Sequence, residues 1–371
     1  MRILVTGAAG FLGWHTRVRL HTLTDHDVIA VDRTEWPELT SFVAGVDAVI
    51  HIAGVNRGSD AEVEAGNVGL AQDLVDALHA AGVTPRMVYA NSIQAGNGTP
   101  YGTGKERAGR VLAGFADVTG VSYFDVRLPN LFGEHGRPNY NSFVATFVHA
   151  AINGDAPQIT DREVRLLHVQ RAAEHLIEQL DGPGGLVEPE GTPTQVAKVW
   201  ELLRRGQELY ATGDIPPLTS ELELDLFNTL RAAQFPAGYP IPLTQRSDNR
   251  GSLVEVVRAH GGQGQTFVST TRPGITRGEH YHLRKVERFV VVKGEARISL
   301  RRVLTDEVVT FDVRGDSPVI IDMPTMWVHN ITNTGDEELV TLFWTHELFN
   351  PDAPDTYPET VGASTAPSGP R

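Results

Sequence analysis

Short apolar runs alternate with longer amphipathic stretches over about the first 235 residues of the chain. The apolar runs predict strands at Arg2–Thr6, Val28–Asp32, Ala48–His51, Arg86–Ala90 and Ser122–Arg127. Helical patterns lie between them, for example over Leu70–Ala81 and Lys105–Val118. Strands that alternate with helices predict a doubly wound α/β fold, in which a parallel sheet is covered on both faces.

The pattern changes near residue 235, where the proline- and glycine-rich segment FPAGYPIPL predicts a linker. Strand-like runs then follow at short intervals: LVEVV, QTFVSTT, RFVVVK, ARISLRR, EVVTFDV, PVIIDM and LVTLFW. No long helical period appears among them, which predicts an all-β sandwich or barrel. We therefore predict an α/β domain over residues 1–240, an all-β domain over 243–360 and a disordered tail over 361–371.

Composition narrows the possible functions. The chain of 371 residues contains no cysteine, which excludes disulfides, thiolate metal ligands and a cysteine nucleophile. Its formal net charge of −14 argues against a broad basic surface for nucleic acid. No apolar run approaches the roughly 18 residues that a membrane helix requires. We expect a soluble cytoplasmic protein with neither a nucleic-acid nor a membrane partner.

A glycine-rich turn follows the first predicted strand and opens a helix. Its glycines lie three residues apart in Gly7-Ala8-Ala9-Gly10-Phe11-Leu12-Gly13. Glycine allows the turn to be tight and lets the backbone approach a pyrophosphate at the positive end of the helix. The turn predicts a dinucleotide site that involves the residues Gly7, Gly10, Phe11, Leu12 and Gly13.

The end of the second strand bears on which dinucleotide is bound. Asp32 and Arg33 stand where the adenosine ribose is read. An acidic residue there favours NAD through the 2′-hydroxyl, whereas an arginine favours NADP through the 2′-phosphate. The two residues conflict, so the sequence leaves NADPH and NADH both open.

A tyrosine and a lysine four residues apart suggest proton transfer. Tyr101 and Lys105 fall on one face at the start of a predicted helix, and Ser92 follows the fourth strand. A lysine beside a phenol is expected to lower the phenol's pKa, so that Tyr101 exchanges a proton with a carbonyl or alcohol near neutral pH. Ser92 is expected to donate a second hydrogen bond to the same oxygen.

With these motifs, the first 235 residues or so resemble the extended short-chain dehydrogenase/reductase family, whose nicotinamide-binding domain is of the Rossmann type. The resemblance implies hydride transfer between nicotinamide and a carbon of a substrate that is often a nucleotide sugar. It implies that Tyr101 is the acid/base, that Lys105 also holds the cofactor ribose and that Ser92 orients the carbonyl. It further implies that Ala53 and Asn130 contact the cofactor.

A second cluster of chemistry lies in the predicted all-β region. His280, His282 and Glu287 follow Gly274 with the spacing G-x5-H-x-H-x4-E-x6-G, and His329 comes later. Histidines two apart on a strand point the same way, and three imidazoles with one carboxylate hold a divalent metal. The spacing resembles the first motif of the cupins, which are small β-barrels. We predict these four residues as ligands of zinc, although iron, manganese and nickel fit the same set.

Four further segments accompany the two motifs: AGVNR from Ala53, PNLFG with RPNYNS from Pro129, DNRG from Asp248 and NPDAPDTY from Asn350. With them, the fusion of both halves resembles the capsular-polysaccharide enzymes of the CapF type. That resemblance implies that the cupin inverts C3 of a UDP-2-acetamido-2,6-dideoxy-4-hexulose and that the reductase domain then reduces the C4 ketone with NADPH. It also implies a homodimer. Among Lys285, Tyr281 and Glu279, which flank the metal ligands, Lys285 is the predicted acid/base residue of the epimerase, since strand alternation turns Tyr281 away from the histidines.

Three alternatives stay open at this point. The cupin could be a structural, dimerising module attached to a ketoreductase. The substrate could be another nucleotide sugar, such as a dTDP-linked ketosugar. The chain could also be a nicotinamide-sensing regulator, although such sensors commonly lack the tyrosine and lysine that are present here as Tyr101 and Lys105.

Overall fold

The computed structural model of the protein describes residues 1–362, which divide into two compact units. The first unit contains Met1–Phe143 and Asp161–Val196, and the second contains Val144–Thr160 and the chain from Ala197 onward. Residues 363–371 of the predicted tail lie outside the described residues. Val361, at the start of that tail, is buried.

The strands of residues 1–362, numbered in chain order, are β1 (Arg2–Thr6), β2 (Asp27–Val31), β3 (Ala48–His51), β4 (Arg86–Ser92), β5 (Tyr123–Leu128), β6 (Asn130–Phe132), β7 (Glu163–His168), β8 (Gly185–Val187), β9 (Thr192–Gln195), β10 (Ile241–Pro242), β11 (Gln245–Asp248), β12 (Gly251–Val254), β13 (Gln265–Thr271), β14 (Thr276–Tyr281), β15 (Glu287–Lys293), β16 (Glu295–Arg302), β17 (Val308–Arg314), β18 (Val319–Met323), β19 (Trp327–Asn333), β20 (Leu339–Thr345) and β21 (Tyr357–Pro358).

The α-helices are α1 (Phe11–Leu23), α2 (Leu39–Phe42), α3 (Asp60–Ala81), α4 (Pro100–Thr119), α5 (Phe143–Asn153), α6 (Val169–Glu178), α7 (Val196–Tyr210) and α8 (Glu221–Gln234). Two short 3-10 helices lie at Trp36–Glu38 and Gln179–Asp181. None of the helices in residues 1–362 is long and apolar enough to cross a bilayer.

The first unit is built on a parallel sheet of order β2-β1-β3-β4-β5-β8. Side chains alternate across this sheet, so that Ile3 and Val5 pack with α1 and α6 on one face. Leu4 packs with α3 and α4 on the other face. Apolar layers on both sides explain the apolar strands, and the predicted Rossmann-type sheet is confirmed.

The second unit contains two antiparallel five-stranded sheets. One has the order β10-β18-β15-β20-β13, and the other has the order β17-β16-β19-β14-β21. The β11–β12 hairpin forms a separate two-stranded sheet. The predicted all-β region is confirmed as an antiparallel, cupin-like arrangement.

The segment predicted as a linker is packed into the second unit. Phe235, Tyr239 and Ile241 are buried, and the ring of Phe235 meets Trp327 edge-on at 4.7 Å. Helices α7 and α8 also group with this compact unit. The domain bounds of 1–240 and 243–360 stay a prediction. The prolines and glycines of this segment correctly predict that α8 ends before it. The aromatic residues between them are buried and attach the segment to the second unit.

Candidate functional site

The turn between β1 and α1 has a geometry that requires glycine. Gly7 has a φ of +65°, and a Cβ there would stand 2.8 Å from the backbone nitrogen of Ala53. A Cβ on Gly13 would stand 2.0 Å from the carbonyl oxygen of Gly7. Gly10 is the N-cap of α1 and offers no side chain to its first-turn amides. This is the arrangement expected for a phosphate group bound by main-chain N–H groups.

The other predicted residues of the turn contribute through their main chain. The Leu12 side chain is buried in the core beneath the sheet, and Phe11 packs against the same core. Thr6 Oγ1, directly before the turn, accepts hydrogen bonds from Ile52 N at 3.1 Å and Ala53 N at 3.2 Å. Thr6 thereby joins the ends of β1 and β3 beside the turn.

Residues of both charges meet at the end of β2. Asp32 is half-buried and Arg33 is exposed. Arg17 of α1 is close enough to Asp32 for their charges to interact. Burial lowers the pKa of Arg17, and the charge of Asp32 opposes that shift. Sequence reasoning missed Arg17, since a helical arginine carries no motif. The choice between NADH and NADPH stays a prediction.

Asn130 lies at the start of β6 and is exposed. Its side-chain amide donates to the carbonyl oxygen of Arg165 at 3.3 Å. To contact the cofactor as predicted, Asn130 must either give up this bond or use its amide oxygen.

The structure brings Ser92 and Tyr101 together. Tyr101 lies in the first turn of α4, which Thr99 caps by accepting a hydrogen bond from Gly102 N at 3.0 Å. The Ser92 side chain lies close enough to the Tyr101 hydroxyl to interact with it, and Ser92 Oγ accepts a hydrogen bond from Gln94 N at 3.2 Å. Burial raises the pKa of Tyr101, and the interaction with Ser92 partly opposes this rise.

Lys105 has different partners from those expected. Its Nζ is buried, donates to the carbonyl oxygen of Ala90 at 2.7 Å and lies 4.2 Å from the centroid of the Tyr89 ring. Burial lowers the pKa of Lys105 to about 7, against the charge of Asp125. The expectation that Lys105 lowers the pKa of Tyr101 is wrong for this structure, because the amine is directed at Tyr89 and Ala90 and the phenol's burial dominates.

In the second unit, the four predicted metal ligands lie together. His280 is on β14 and His329 on β19 of one sheet, Glu287 begins β15 of the other sheet, and His282 follows β14. One ligand atom from each side chain falls within 4.8 Å of all the others. Glu287 Oε2 is 3.1 Å from His282 Nε2 and 3.2 Å from His329 Nε2.

The electrostatics of this cluster suit a cation. Burial, reinforced by His329 and His282, lowers the pKa of His280 to about 4, which keeps that imidazole neutral. Burial alone would raise the pKa of Glu287, yet His282 and His329 hold it well below its ordinary value. Glu287 in turn raises the pKa of His282 against the effect of burial. A buried carboxylate among three imidazoles is therefore ionised and provides negative charge for a metal.

Main-chain carbonyls orient two of the histidines. His282 Nδ1 is hydrogen-bonded to the carbonyl oxygen of Asp355, and His329 Nδ1 lies 3.1 Å from that of Trp327. Both rings then present Nε2 to Glu287, which is the pattern of metal-binding histidines. The residues present fit a divalent metal.

Met326 holds the turn before His329 in a left-handed conformation with a φ of +61°, at the position where the cupin motif has glycine. Its N–H donates to the carbonyl oxygen of His282 at 2.7 Å, and its side chain is fully buried. The conformation costs about 1–2 kcal/mol, and burial of a methionine offsets this by about 1.5–3 kcal/mol. The departure from glycine leaves the ligand in place.

A cavity of about 700 Å³ opens beside the cluster, within the second unit. His280, His282 and Glu287 line it, together with Lys285. Lys285 Nζ donates to the carbonyl oxygen of Pro354, so the predicted acid/base residue reaches the cavity with its amine already bonded.

The other two acid/base candidates have structural partners. Tyr281 is buried with its ring 5.6 Å from that of Tyr357. Glu279 accepts hydrogen bonds from Asn330 Nδ2 and Val361 N, both at 2.7 Å.

Two acidic residues near the cavity were missed by sequence reasoning. Glu347 follows β20 and lines the cavity. Asp355 accepts hydrogen bonds from the backbone N–H groups of residues 283–285, at 3.0, 2.9 and 2.7 Å. Neither residue belongs to a spaced motif, and the only signal for Asp355 was its place in the segment NPDAPDTY, which resembles CapF-type chains.

Comparison with protein families gives two matches along the chain. Residues 3–172 match the NAD dependent epimerase/dehydratase family, and residues 246–357 match the polysaccharide biosynthesis C-terminal domain. The first match covers the glycine turn and the Ser92–Tyr101 pair, and the second covers all four predicted metal ligands.

One curated relative and one solved structure extend over both regions, and a second relative matches a shorter part of the chain. The chain is 33% identical over 374 residues to the UDP-2-acetamido-2,6-beta-L-arabino-hexul-4-ose reductase of Pseudomonas aeruginosa, covering 98% of this chain and 99% of that protein. It is 27% identical over 122 residues to the spore coat polysaccharide biosynthesis protein SpsL of Bacillus subtilis, covering 30% of this chain and 81% of that protein. A crystal structure of the capsular polysaccharide assembling protein CapF from Staphylococcus aureus matches with 33% identity and a TM-score of 0.64, over 97% of this chain and all of that one. The nearly full-length similarities to the Pseudomonas aeruginosa reductase and to CapF show that the chain belongs to the CapF-type family of capsular polysaccharide proteins.

Proposed function

We propose that the chain is a bifunctional UDP-sugar enzyme. Its second unit epimerises C3 of a UDP-2-acetamido-2,6-dideoxy-4-hexulose, and its first unit reduces the C4 ketone with NADPH. The product is a precursor of UDP-N-acetyl-L-fucosamine for capsule or surface polysaccharide. The observation that carries the proposal is that one chain, 33% identical to a UDP-hexulose reductase over 98% of its length, holds both the Ser92–Tyr101 pair and a four-ligand cluster at a cavity.

In the reductase half, the nicotinamide supplies the hydride. Tyr101 donates its hydroxyl proton to the C4 oxygen, because burial keeps its pKa raised and the phenol protonated at neutral pH. Ser92 holds the same oxygen through a hydrogen bond. Lys105 binds the cofactor ribose once its amine leaves the carbonyl oxygen of Ala90.

In the epimerase half, a divalent metal held by His280, His282, Glu287 and His329, with zinc as the proposed ion, supplies Lewis-acid stabilisation of charge on the ketone oxygen. The hydrogen on C3 is acidic because it is α to the C4 ketone. Lys285, the acid/base residue predicted from the sequence, lines the cavity beside these ligands, where we place the sugar.

The test follows both reactions in one sample. A UDP-2-acetamido-4-keto-6-deoxy sugar is incubated with the protein in deuterium oxide, first without and then with NADPH, and monitored by NMR. We expect deuterium to enter C3 without NADPH and this signal to be lost in His280→Ala. We expect NADPH oxidation to fall about 100-fold or more in Tyr101→Phe.

Tyr123→Phe is the matched control for the reductase. The Tyr123 hydroxyl is buried and has no hydrogen-bond partner among residues 1–362, so its removal should leave NADPH oxidation unchanged.

If the wild-type protein oxidises NADPH but deuterium does not enter C3, the result would instead favour a ketoreductase with a structural metal domain. If neither reaction occurs, dTDP-linked ketosugars are the next substrates to test. The homodimer, the cytoplasmic location and the preference for NADPH stay predictions.

A further inference from the structure

The cavity beside the metal cluster contains a carboxylate to which no role has been given. Glu347 lines this cavity with His280, His282 and Glu287, and about one third of its side chain is exposed. Among residues 1–362, the ionisable side chain within 4 Å of the Glu347 carboxylate is that of His346, whose Nε2 lies 3.5 Å from Glu347 Oε2. Burial, aided by nearby arginines, lowers the pKa of His346 to about 3, so that ring is neutral and does not neutralise the carboxylate.

Strand register places Glu347 toward the cluster. Glu287 at the start of β15 pairs with Thr345 at the end of β20. The pairing continues one step further, because His346 N donates to Val286 O at 3.2 Å. The next pair in this antiparallel register is Lys285 with Glu347, on the same face as Glu287 and Thr345. All four of these residues line the cavity, as that alternation requires.

The surroundings of Glu347 make its carboxylate more ready to take up a proton than an ordinary surface glutamate. Burial raises the pKa of Glu347, and Asp355 adds to the rise. Arg284, Lys285 and His282 oppose it. A general base works best when its pKa lies close to the working pH, so a carboxyl with a raised pKa is better suited than an ordinary surface glutamate.

Lys285 is less free to act in this way. Its amine donates to the carbonyl oxygen of Pro354 and lies 3.4 Å from Thr356 Oγ1. The amine would have to break these contacts before it could reach C3 of a sugar in the cavity. While its amine is bonded to Pro354, the positive charge of Lys285 attracts an anionic substrate to the cavity. The same charge stabilises negative charge on the substrate, across the strand register from Glu347.

We infer that Glu347 is a catalytic residue of the proposed epimerase and is the base that takes the C3 proton of the UDP-linked 4-ketosugar. The C3–H bond breaks and the proton bonds to a carboxylate oxygen of Glu347. The electron pair moves into a C3–C4 double bond, and the C4 ketone becomes an enolate. A proton from water then bonds to C3 on the opposite face and the ketone re-forms, while Glu347 releases its proton to solvent, so the inversion consumes no oxidant or reductant. This inference rests on the proposed epimerase function.

The test compares Glu347→Gln with wild type in three assays. Deuterium uptake at C3 without NADPH should fall about 100-fold or more, because general base catalysis contributes that much. Metal content per chain, measured by elemental analysis after dialysis, should be unchanged. NADPH oxidation, with ketosugar first equilibrated by wild-type protein that is then removed, should also be unchanged. Glu347→Asp, which keeps a carboxylate on a shorter stem, should recover part of the deuterium uptake.

Glu338→Gln is the matched control, since this exposed glutamate precedes β20 at the end opposite to Glu347. It should behave as wild type in all three assays. Deuterium uptake by Glu347→Gln within about twofold of wild type would overturn the assignment and leave the epimerase function standing. Loss of metal in step with deuterium uptake would also overturn it, because Glu347 would then support the metal site. No deuterium uptake by wild-type protein would remove the epimerase function itself and the assignment with it.

Discussion

Lys105 is a buried cation with mainly uncharged neighbours. Its amine lies over the ring of Tyr89, which itself stacks on His51 at 5.6 Å between ring centroids. Burial and the charge of Lys105 lower the pKa of His51 to about 3, so this histidine is neutral and offers the lysine no counter-charge. Among residues 1–362, the amine contacts the carbonyl oxygen of Ala90 and the Tyr89 ring, and the charge of Asp125 offsets only part of the cost of burying it.

That cost predicts how stability depends on pH. The pKa of Lys105 is about 7 in the folded protein, against about 10.4 in an unfolded chain. Below pH 7 the folded state must hold the buried charge and the penalty is complete. Between pH 7 and about 10 the unfolded state binds more protons, so the stability contributed by this residue rises with pH.

We predict that Lys105→Met is more stable than wild type at pH 6, by an amount on the order of 2 kcal/mol, and inactive as a reductase. The difference should shrink as the pH rises and vanish near pH 10. Denaturant unfolding of both proteins at pH 6, 8 and 10 measures this. A difference that is constant with pH would show that Lys105 is not the group responsible.

At the scale of elements, polar helix starts were the harder part to predict. The predicted helix began at Leu70, whereas α3 begins at Asp60. Its first turn is polar and has no apolar period, but Ser59 and Glu62 form a capping box there. The same spacing recurs at Ser220 and Glu223, where α8 begins. The capping box was therefore the available signal, and reading it would have placed the start of α3 correctly.

The strands that carry the histidines were also absent from the apolar runs. β14 is TRGEHY and β19 is WVHNITN, so neither is dominated by apolar residues. A register shift between Gly278 and His280 further interrupts β14 directly before the first ligand. The spacing of histidines and glutamate located the cluster correctly, although hydrophobicity alone did not. Bulges beside functional residues commonly re-aim a side chain.

The segment Pro354–Val361 fixes the other side of the cluster. Asp355 accepts three main-chain hydrogen bonds from residues 283–285, and its carbonyl oxygen is bonded to His282 Nδ1. Arg301 is buried and donates to the main-chain oxygens of Thr360 and Val361. The loop between His282 and Glu287 thus depends on residues some seventy positions later in the chain, which local sequence patterns do not reveal.

We predict that Asp355→Ala weakens metal affinity about 10-fold to 100-fold, because the loop that follows His282 loses the carboxylate that accepts its three amide hydrogen bonds and the ligand is held less firmly. It should also lower the free energy of unfolding by about 1–3 kcal/mol, because buried amides lose their acceptor. Competition with a chromogenic chelator measures the affinity. Asp352→Ala is the control, since Asp352 is exposed in the same segment. Equal affinities for both variants would contradict this positioning role.

On the scale of the whole molecule, sequence patterns located both chemistries but not the grouping of α7 and α8. The glycine turn and the histidine spacing are local, so they can be read directly. The grouping of α7 and α8 with the second unit depends on packing, for example of Tyr210 in α7 against Phe227 in α8, with ring centroids 4.9 Å apart. Such contacts join separate parts of the chain and do not appear as a hydrophobic periodicity in the sequence.

Two compact units with separate sites predict separate responses to ligands. We expect NADPH to raise one thermal transition and zinc to raise another, each by mass action on a folded unit. At a ligand concentration 100 times the dissociation constant, the gain is about 2.7 kcal/mol for that unit. Differential scanning calorimetry measures both. His280→Ala should lose the zinc response and keep that to NADPH, and a single transition moved by both ligands would contradict the prediction.

The ligand set of the second unit has a consequence for oxidative stress. Peroxide releases zinc from thiolate sites by oxidising sulfur, but this chain has no cysteine, and its predicted ligands are three imidazoles and a carboxylate. Its only sulfur atoms are those of four methionines. One of them, Met326, is fully buried beside the ligand loop and so is shielded from oxidants. The proposed metal site would therefore be expected to keep its ion under oxidising conditions that strip zinc from thiolate ligands.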